Sequence, residues 1–171
     1  MRLIPLAIAS AALASVASPA VAQEAAGSFT GPRIGVNVGT GGNNFIDFDG
    51  QTIGVDAGYD IDTGGAVVGV GVEYQTELGN DFFDLNESAV LARVGAKITP
   101  NALAYASGGY TRISGGSTPF GSNGDDGYRV GAGVEFGVGT GGTSLKVEQR
   151  YLDYGNGADA FQTVAGLSFR F

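Results

Sequence analysis

Ten charged residues stand at positions that let them act as one system: Arg33, Asp56, Glu73, Arg93, Lys97, Arg129, Glu135, Lys146, Glu148 and Arg150. Each lies in a stretch that alternates apolar with small or polar residues, always on the polar side. Acids and bases interleaved on one face make ion pairs, and such a set does one of two things. It fills an enclosed space with a structural network, or it lines a site, for which Glu135, Lys146, Glu148 and Arg150 are the nearest candidates. The structural network is the reading adopted here, since strand charges facing one another neutralise locally. Acid–base and nucleophilic catalysis lack their usual parts. The chain has no histidine and no cysteine, so Ser-His and thiol chemistry are absent. No enzyme activity and no cofactor are expected.

The elements that must position these charges are eight β-strands. The alternation predicts strands near Arg33–Gly39, Thr52–Tyr59, Ala66–Gln75, Ser88–Ile98, Ala102–Arg112, Tyr128–Val138, Ser144–Tyr154 and Ala160–Phe171. In the third, Val68, Val70, Val72 and Tyr74 oppose Gly69, Gly71, Glu73 and Gln75. In the seventh, Leu145, Val147 and Tyr151 oppose Lys146, Glu148 and Arg150, with Gln149 an exception on the apolar side. In the fifth, Leu103 and Tyr105 suggest the apolar face, blurred by Ser107, Gly108 and Gly109.

A period of two with one apolar and one charged face fits a closed antiparallel barrel, lipid outside and a polar lumen within. A Lys or Arg facing lipid at midplane costs about 2–4 kcal/mol, so the seven strand cations (Arg33, Arg93, Lys97, Arg129, Lys146, Arg150 and Arg170) must point inward. A soluble barrel with reversed faces competes. Its outer surface would be unusually rich in glycine and poor in charge. Aromatics near strand ends (Tyr59, Tyr74, Tyr105, Tyr128, Tyr151, Phe169, Phe171) also favour membrane girdles. Inward glycines leave room for long side chains. The expected fold is an all-β, eight-stranded, up-and-down transmembrane barrel.

Linkers alternate in character. Asp60–Gly64, Thr99–Asn101 and Gly139–Gly142 read as tight turns; Thr40–Gln51, Thr76–Glu87 and Ser114–Gly127 read as longer acidic loops. Residues 1–22 read as a cleaved secretory signal, with Arg2, an apolar run and Ala20-Val21-Ala22 before Gln23. One barrel domain over 23–171 follows, and an outer-membrane location is expected. The net charge of −8 excludes nucleic acid as a partner. Asp60-Ile61-Asp62-Thr63-Gly64 and Asn123-Gly124-Asp125-Asp126-Gly127 resemble fragments of calcium loops but lack the closing Glu, and read as turns. Phe82, Phe83 and Phe120 fall in loops and are expected on the barrel rim or in the outer leaflet.

Several motifs carry a family resemblance: Ala92-Arg93-Val94-Gly95, Ala104-Tyr105-Ala106-Ser107-Gly108-Gly109-Tyr110, Gly131-Ala132-Gly133-Val134-Glu135-Phe136, Val147-Glu148-Gln149-Arg150-Tyr151 and the closing Ser168-Phe169-Arg170-Phe171. With these the chain resembles the opacity/porin-like outer-membrane β-barrel family of Gram-negative bacteria. The resemblance implies an integral outer-membrane protein with no shared reaction. It also implies that Leu167, Phe169 and Phe171 form a signal read by the barrel-assembly machinery. Outer-membrane lipid and lipopolysaccharide are the other expected partners. A closed barrel has no free edge strand, so a monomer is expected. The expected function is a structural or surface role with acidic loops outside. A narrow porin-like channel is the alternative, disfavoured because eight strands leave an interior just wide enough for side chains.

Overall fold

A computed structural model describes residues 29–43, 46–78, 86–118, 121–154 and 159–171. Eight strands run in chain order: β1 (Gly31–Asn43), β2 (Ile46–Asp62), β3 (Ala66–Leu78), β4 (Asn86–Thr99), β5 (Ala102–Thr118), β6 (Gly121–Val138), β7 (Thr143–Asp153) and β8 (Asp159–Arg170). Each pairs antiparallel with the next, and β8 pairs with β1, which closes the barrel. The proposed leader, the aromatic residues Phe82, Phe83 and Phe120, and the acids Asp81 and Asp84 lie outside the described residues.

Closure follows from the alternation. Apolar residues at every second position have no apolar partner inside the chain. Backbone groups in lipid must all be paired, which only a ring of strands allows. The outward set is exposed: Val70 at 63 % and Val90 at 61 %, whereas Arg129 and Glu135 are fully buried. This is a soluble protein turned inside out. Following cross-strand partners from Ile61 on β2 through Val68, Val94, Ala106, Ala132, Gln149, Thr163 and Thr40 returns to β2 at Gln51, ten positions away (61 less 51). That stagger corresponds to a strand tilt of about 40°.

Three tight turns close one rim. Gly64, Gly139 and Gly142 have positive φ (98°, 70° and 72°), which suits glycine at reversals. At the other rim the strands run further than expected. The stretches Thr40–Gln51 and Ser114–Gly127, read as loops, are mostly strand, because β1, β2, β5 and β6 continue pairing there. Asp60 is likewise strand rather than turn, as β2 pairs through Asp62 with Val67 of β3.

The fifth strand corrects a face assignment. Leu103 and Tyr105 point inward, at 0 % and 6 % exposure, and Ala104, Ala106 and Gly108 take the lipid side. Tyr105 is therefore no girdle residue. Its bulk suggested the apolar face, but a narrow interior needs filling as much as lipid needs covering. Phe29, Val67, Leu103 and Tyr105 cluster inside the short-turn end.

Candidate functional site

Inward positions on seven of the eight strands carry charge, β5 offering Tyr105, Ser107 and Thr111 instead, and the ring brings them into two tiers. The tier nearer the short turns centres on Asp60. Its carboxylate accepts from Arg93 Nε at 2.8 Å and Nη2 at 2.6 Å, and from Arg170 Nη2 at 2.9 Å; Arg33 Nε lies 3.1 Å away. Arg93 also donates through Nη1 to Glu135 at 2.7 Å, and Ser144 Oγ donates to the same carboxylate at 2.7 Å. Asp56 accepts from Arg33 Nη1 at 2.5 Å and from Lys146 Nζ at 2.9 Å.

The second tier centres on Glu73. Arg150 reaches it with both terminal nitrogens, at 2.6 and 2.9 Å, the bidentate geometry that suits guanidinium and carboxylate. Arg129 Nη1 divides between Glu73 and Glu87, each at 3.1 Å. Glu148 accepts from Arg150 Nε, Tyr105 OH and Ser107 Oγ at 3.0, 2.8 and 2.9 Å. Thr111 Oγ1 and Gln75 Nε2 also donate to Glu87. Lys97 pairs with Asp62 at 2.8 Å beside the short turns.

Glycine makes this crowding possible. A Cβ at Gly69 would collide with the Asp60 carboxylate, and one at Gly58 or Gly71 would crowd the Arg33 guanidinium. Each glycine sits across the ladder from, or beside, a side chain that occupies its missing volume. What remains between Arg33, Asp56, Glu73, Lys146 and Arg150 is a space of about 30 Å³, enough for one or two waters.

All ten charged residues singled out in the sequence face the interior, and each has an opposite charge within 3.1 Å. Four partners lie beyond those ten: Asp60, Asp62 and Glu87, which the sequence reading does not place inside, and Arg170, which it places inward with the other strand cations. The first two were assigned to a turn, yet the inward spacing of Gly54, Asp56 and Gly58 continues to both. Their carboxylates are occupied by Arg33, Arg93, Arg170 and Lys97, and no metal-holding acidic group occurs among the described residues. With these four, the paired network among the described residues holds seven cations (Arg33, Arg93, Lys97, Arg129, Lys146, Arg150, Arg170) and seven carboxylates (Asp56, Asp60, Asp62, Glu73, Glu87, Glu135, Glu148). It is charge-neutral, and the chain's net −8 lies outside this set.

Leu167, Phe169 and Phe171 take outward positions at the short-turn end of β8. The rings of Phe169 and Phe171 lie 5.9 Å apart.

A model of the outer membrane protein beta-barrel domain matches residues 8–171. The chain belongs to that family. Its strands are transmembrane strands of an outer-membrane barrel. Among solved structures, the attachment invasion locus protein Ail of Yersinia pestis aligns with a TM-score of 0.60 at 14 % identity, covering 83 % of this chain and 97 % of Ail. Neisserial surface protein A aligns with a TM-score of 0.58 at 15 % identity, covering 82 % and 96 %. The outer membrane enzyme PagL aligns with a TM-score of 0.55 at 15 % identity, covering 81 % and 99 %. These likenesses establish the fold; a surface protein and an enzyme share it, so function has to come from the site. No curated protein matches the sequence.

Proposed function

We propose that this protein is a non-enzymatic integral surface protein of the outer membrane. It is exported by a signal that is cleaved after residue 22 and inserted by the barrel-assembly machinery through its Leu167–Phe169–Phe171 edge. It presents an acidic rim to the exterior and contacts lipid and lipopolysaccharide along its wall. One observation carries the reading. Each of the fourteen charged side chains in the network has an opposite charge within 3.1 Å, and the space between Arg33, Asp56, Glu73, Lys146 and Arg150 is about 30 Å³. A site would need charges held ready for a substrate, and here they are matched seven to seven. The lack of histidine and cysteine points the same way. Ail and Neisserial surface protein A, both named for surface roles, have the same strand plan.

Single-channel recording on the purified protein in a planar bilayer tests this reading against the narrow channel. A silent membrane is the expected result. Reproducible unitary current steps would replace the sealed-barrel reading with the channel.

A further inference from the structure

The unmet polar groups of the lumen gather along one wall. Descending the β1–β8 ladder from the long-loop end, the inward rows are Gly41 with Gln162, Gly39 with Val164, Asn37 with Gly166, Gly35 with Ser168 and Arg33 with Arg170. Gln162 Oε1, both amide atoms of Asn37, Ser168 Oγ and Arg170 Nε are buried there without a hydrogen-bond partner among the described residues. Arg33 Nε faces Asp60 as an ion pair but off the hydrogen-bond direction, and Arg129 Nε and Nη2 add two unmet donors on β6. Polar atoms also take the volume that two of the glycines leave: Thr52 Oγ1 and Gln162 Nε2 beside Gly39, and Asp56 Oδ2 and Ser168 Oγ beside Gly35. Every row of this wall therefore offers a polar atom. The space of about 30 Å³ adjoins the same wall through Arg33 and Asp56. Buried donors and acceptors without partners are costly, and internal water is what characteristically serves several of them at once.

The polar wall stops at the short-turn rim. There the lumen is closed by the apolar cluster of Phe29, Val67, Leu103 and Tyr105. Phe29 precedes β1, and the chain turns so that its ring is buried inside the rim. Gly31 makes that turn with φ at 111°, where a Cβ would also press on the Phe171 carbonyl oxygen. Thr30 Oγ1 accepts from Asp62 N at 2.8 Å, which ties the segment to the end of β2. The Arg170 guanidinium, last of the polar rows, lies 5.3 Å from the centre of the Phe29 ring. An apolar constriction of this kind keeps water out by dewetting and needs no charge to do so. Val67, Leu103 and Tyr105 are fixed in paired strands. Phe29 lies outside the ladder, so it is the member of the cluster that can move without breaking a strand.

We propose that the β1–β8 wall carries a file of internal water and that Phe29 is its stopper. Gln162, Asn37 and Ser168 hold the file from the long-loop end downward, and the Arg33–Arg170 row is its last station. The segment before β1 thus holds shut a water path through the barrel. Closure by Phe29 has a further consequence for the charges above it. The tier around Asp60 is shielded from water at the short-turn rim by one aromatic ring.

The inference rests on the sealed-barrel reading, which single-channel recording of the unaltered protein tests by itself. For the stopper, the protein is refolded into vesicles, folding is scored by heat-modified gel migration, and osmotic shrinkage is followed by stopped-flow light scattering. Vesicles carrying the unaltered protein should shrink at the rate of protein-free vesicles. Phe29→Ala should speed shrinkage several-fold. Gly31→Ala should do the same, because it leaves every lumen side chain in place and misdirects only the segment that carries Phe29; it serves where Phe29→Ala folds poorly. Phe29→Leu keeps an apolar stopper and should stay slow. Adding Asn37→Leu to either open variant removes the amide from the middle of the file and should restore the slow rate. Folded Phe29→Ala or Gly31→Ala barrels as tight as the unaltered protein would overturn the proposal. So would a fast rate that survives Asn37→Leu, or fast shrinkage with the unaltered protein in a bilayer that shows no current steps.

Discussion

Arg93 with Asp60 and Arg112 with Asp126 are the same chemical pair in two settings. The first is interior, 2.6 Å apart, with side chains 6 % and 0 % exposed; the second lies on the wall near the long-loop rim, 3.7 Å apart, with side chains 55 % and 53 % exposed. At the rim, water and salt screen the charges, and the pair is worth at most about 1 kcal/mol. In the interior, the pair itself contributes little beyond cancelling its own desolvation, but losing one member leaves the other buried and unmatched. The barrel thus uses one kind of contact for two purposes. Inside, charges specify which strands face one another across the lumen. At the rim they set the sign of the surface.

The largest test of this contrast is Asp60→Asn against Asp126→Asn. The first strips three guanidinium groups of a shared partner and should lower stability by about 3–5 kcal/mol, measured by urea unfolding in lipid vesicles. The second should change it by less than about 1 kcal/mol. Raising salt to 1 M should erase the second effect and leave the first, since buried pairs are screened much less. Equal effects would break the distinction.

An intermediate effect probes the outward face at two depths. Val70→Arg sits in the middle of the apolar band and should cost about 2–4 kcal/mol, while Thr76→Arg, near the long-loop end of β3, should cost at most about 1 kcal/mol. The same unfolding assay reads both, and equal tolerance would contradict the wall assignment.

The smallest contrast concerns interior space. Gly69→Ala places a methyl against the Asp60 carboxylate, which three arginines hold still, and should destabilise by about 1–3 kcal/mol. At Gly137 the nearest atom lies 3.7 Å from an added Cβ, so Gly137→Ala should be close to neutral. A neutral Gly69→Ala would mean that the tier around Asp60 is looser than its distances indicate.

Much of the interior is legible in the sequence, because a period of two assigns a side to every residue once the apolar face is known. Arg93, Glu135 and Arg150 needed nothing more. Asp60 failed for a local reason: Asp-Ile-Asp-Thr-Gly has the composition of a turn, and turn chemistry outweighed the parity that places Asp60 with Asp56. Tyr105 failed for the opposite reason. Side-chain size marks the lipid face poorly here, because the turn-side half of β5 shows lipid Ala104, Ala106 and Gly108 and keeps Leu103 and Tyr105 within. Phe29 could not be placed at all. Its packing against Val67 and Leu103 joins segments distant in the chain, and no local pattern marks it.

Strand number, sidedness and a charge on most inward faces are written into the order of residues, since each depends only on neighbours two positions apart. Which acid meets which base is not. Asp60 on β2 is held by β4 and β8, and Glu73 on β3 by β6 and β7, none of which is its hydrogen-bonded neighbour except where Arg33 of β1 joins Asp60. Those meetings need the ring to close with a ten-residue stagger. Tilt and closure together set the height of each side chain, and only then do charges from distant strands arrive at one level across the lumen.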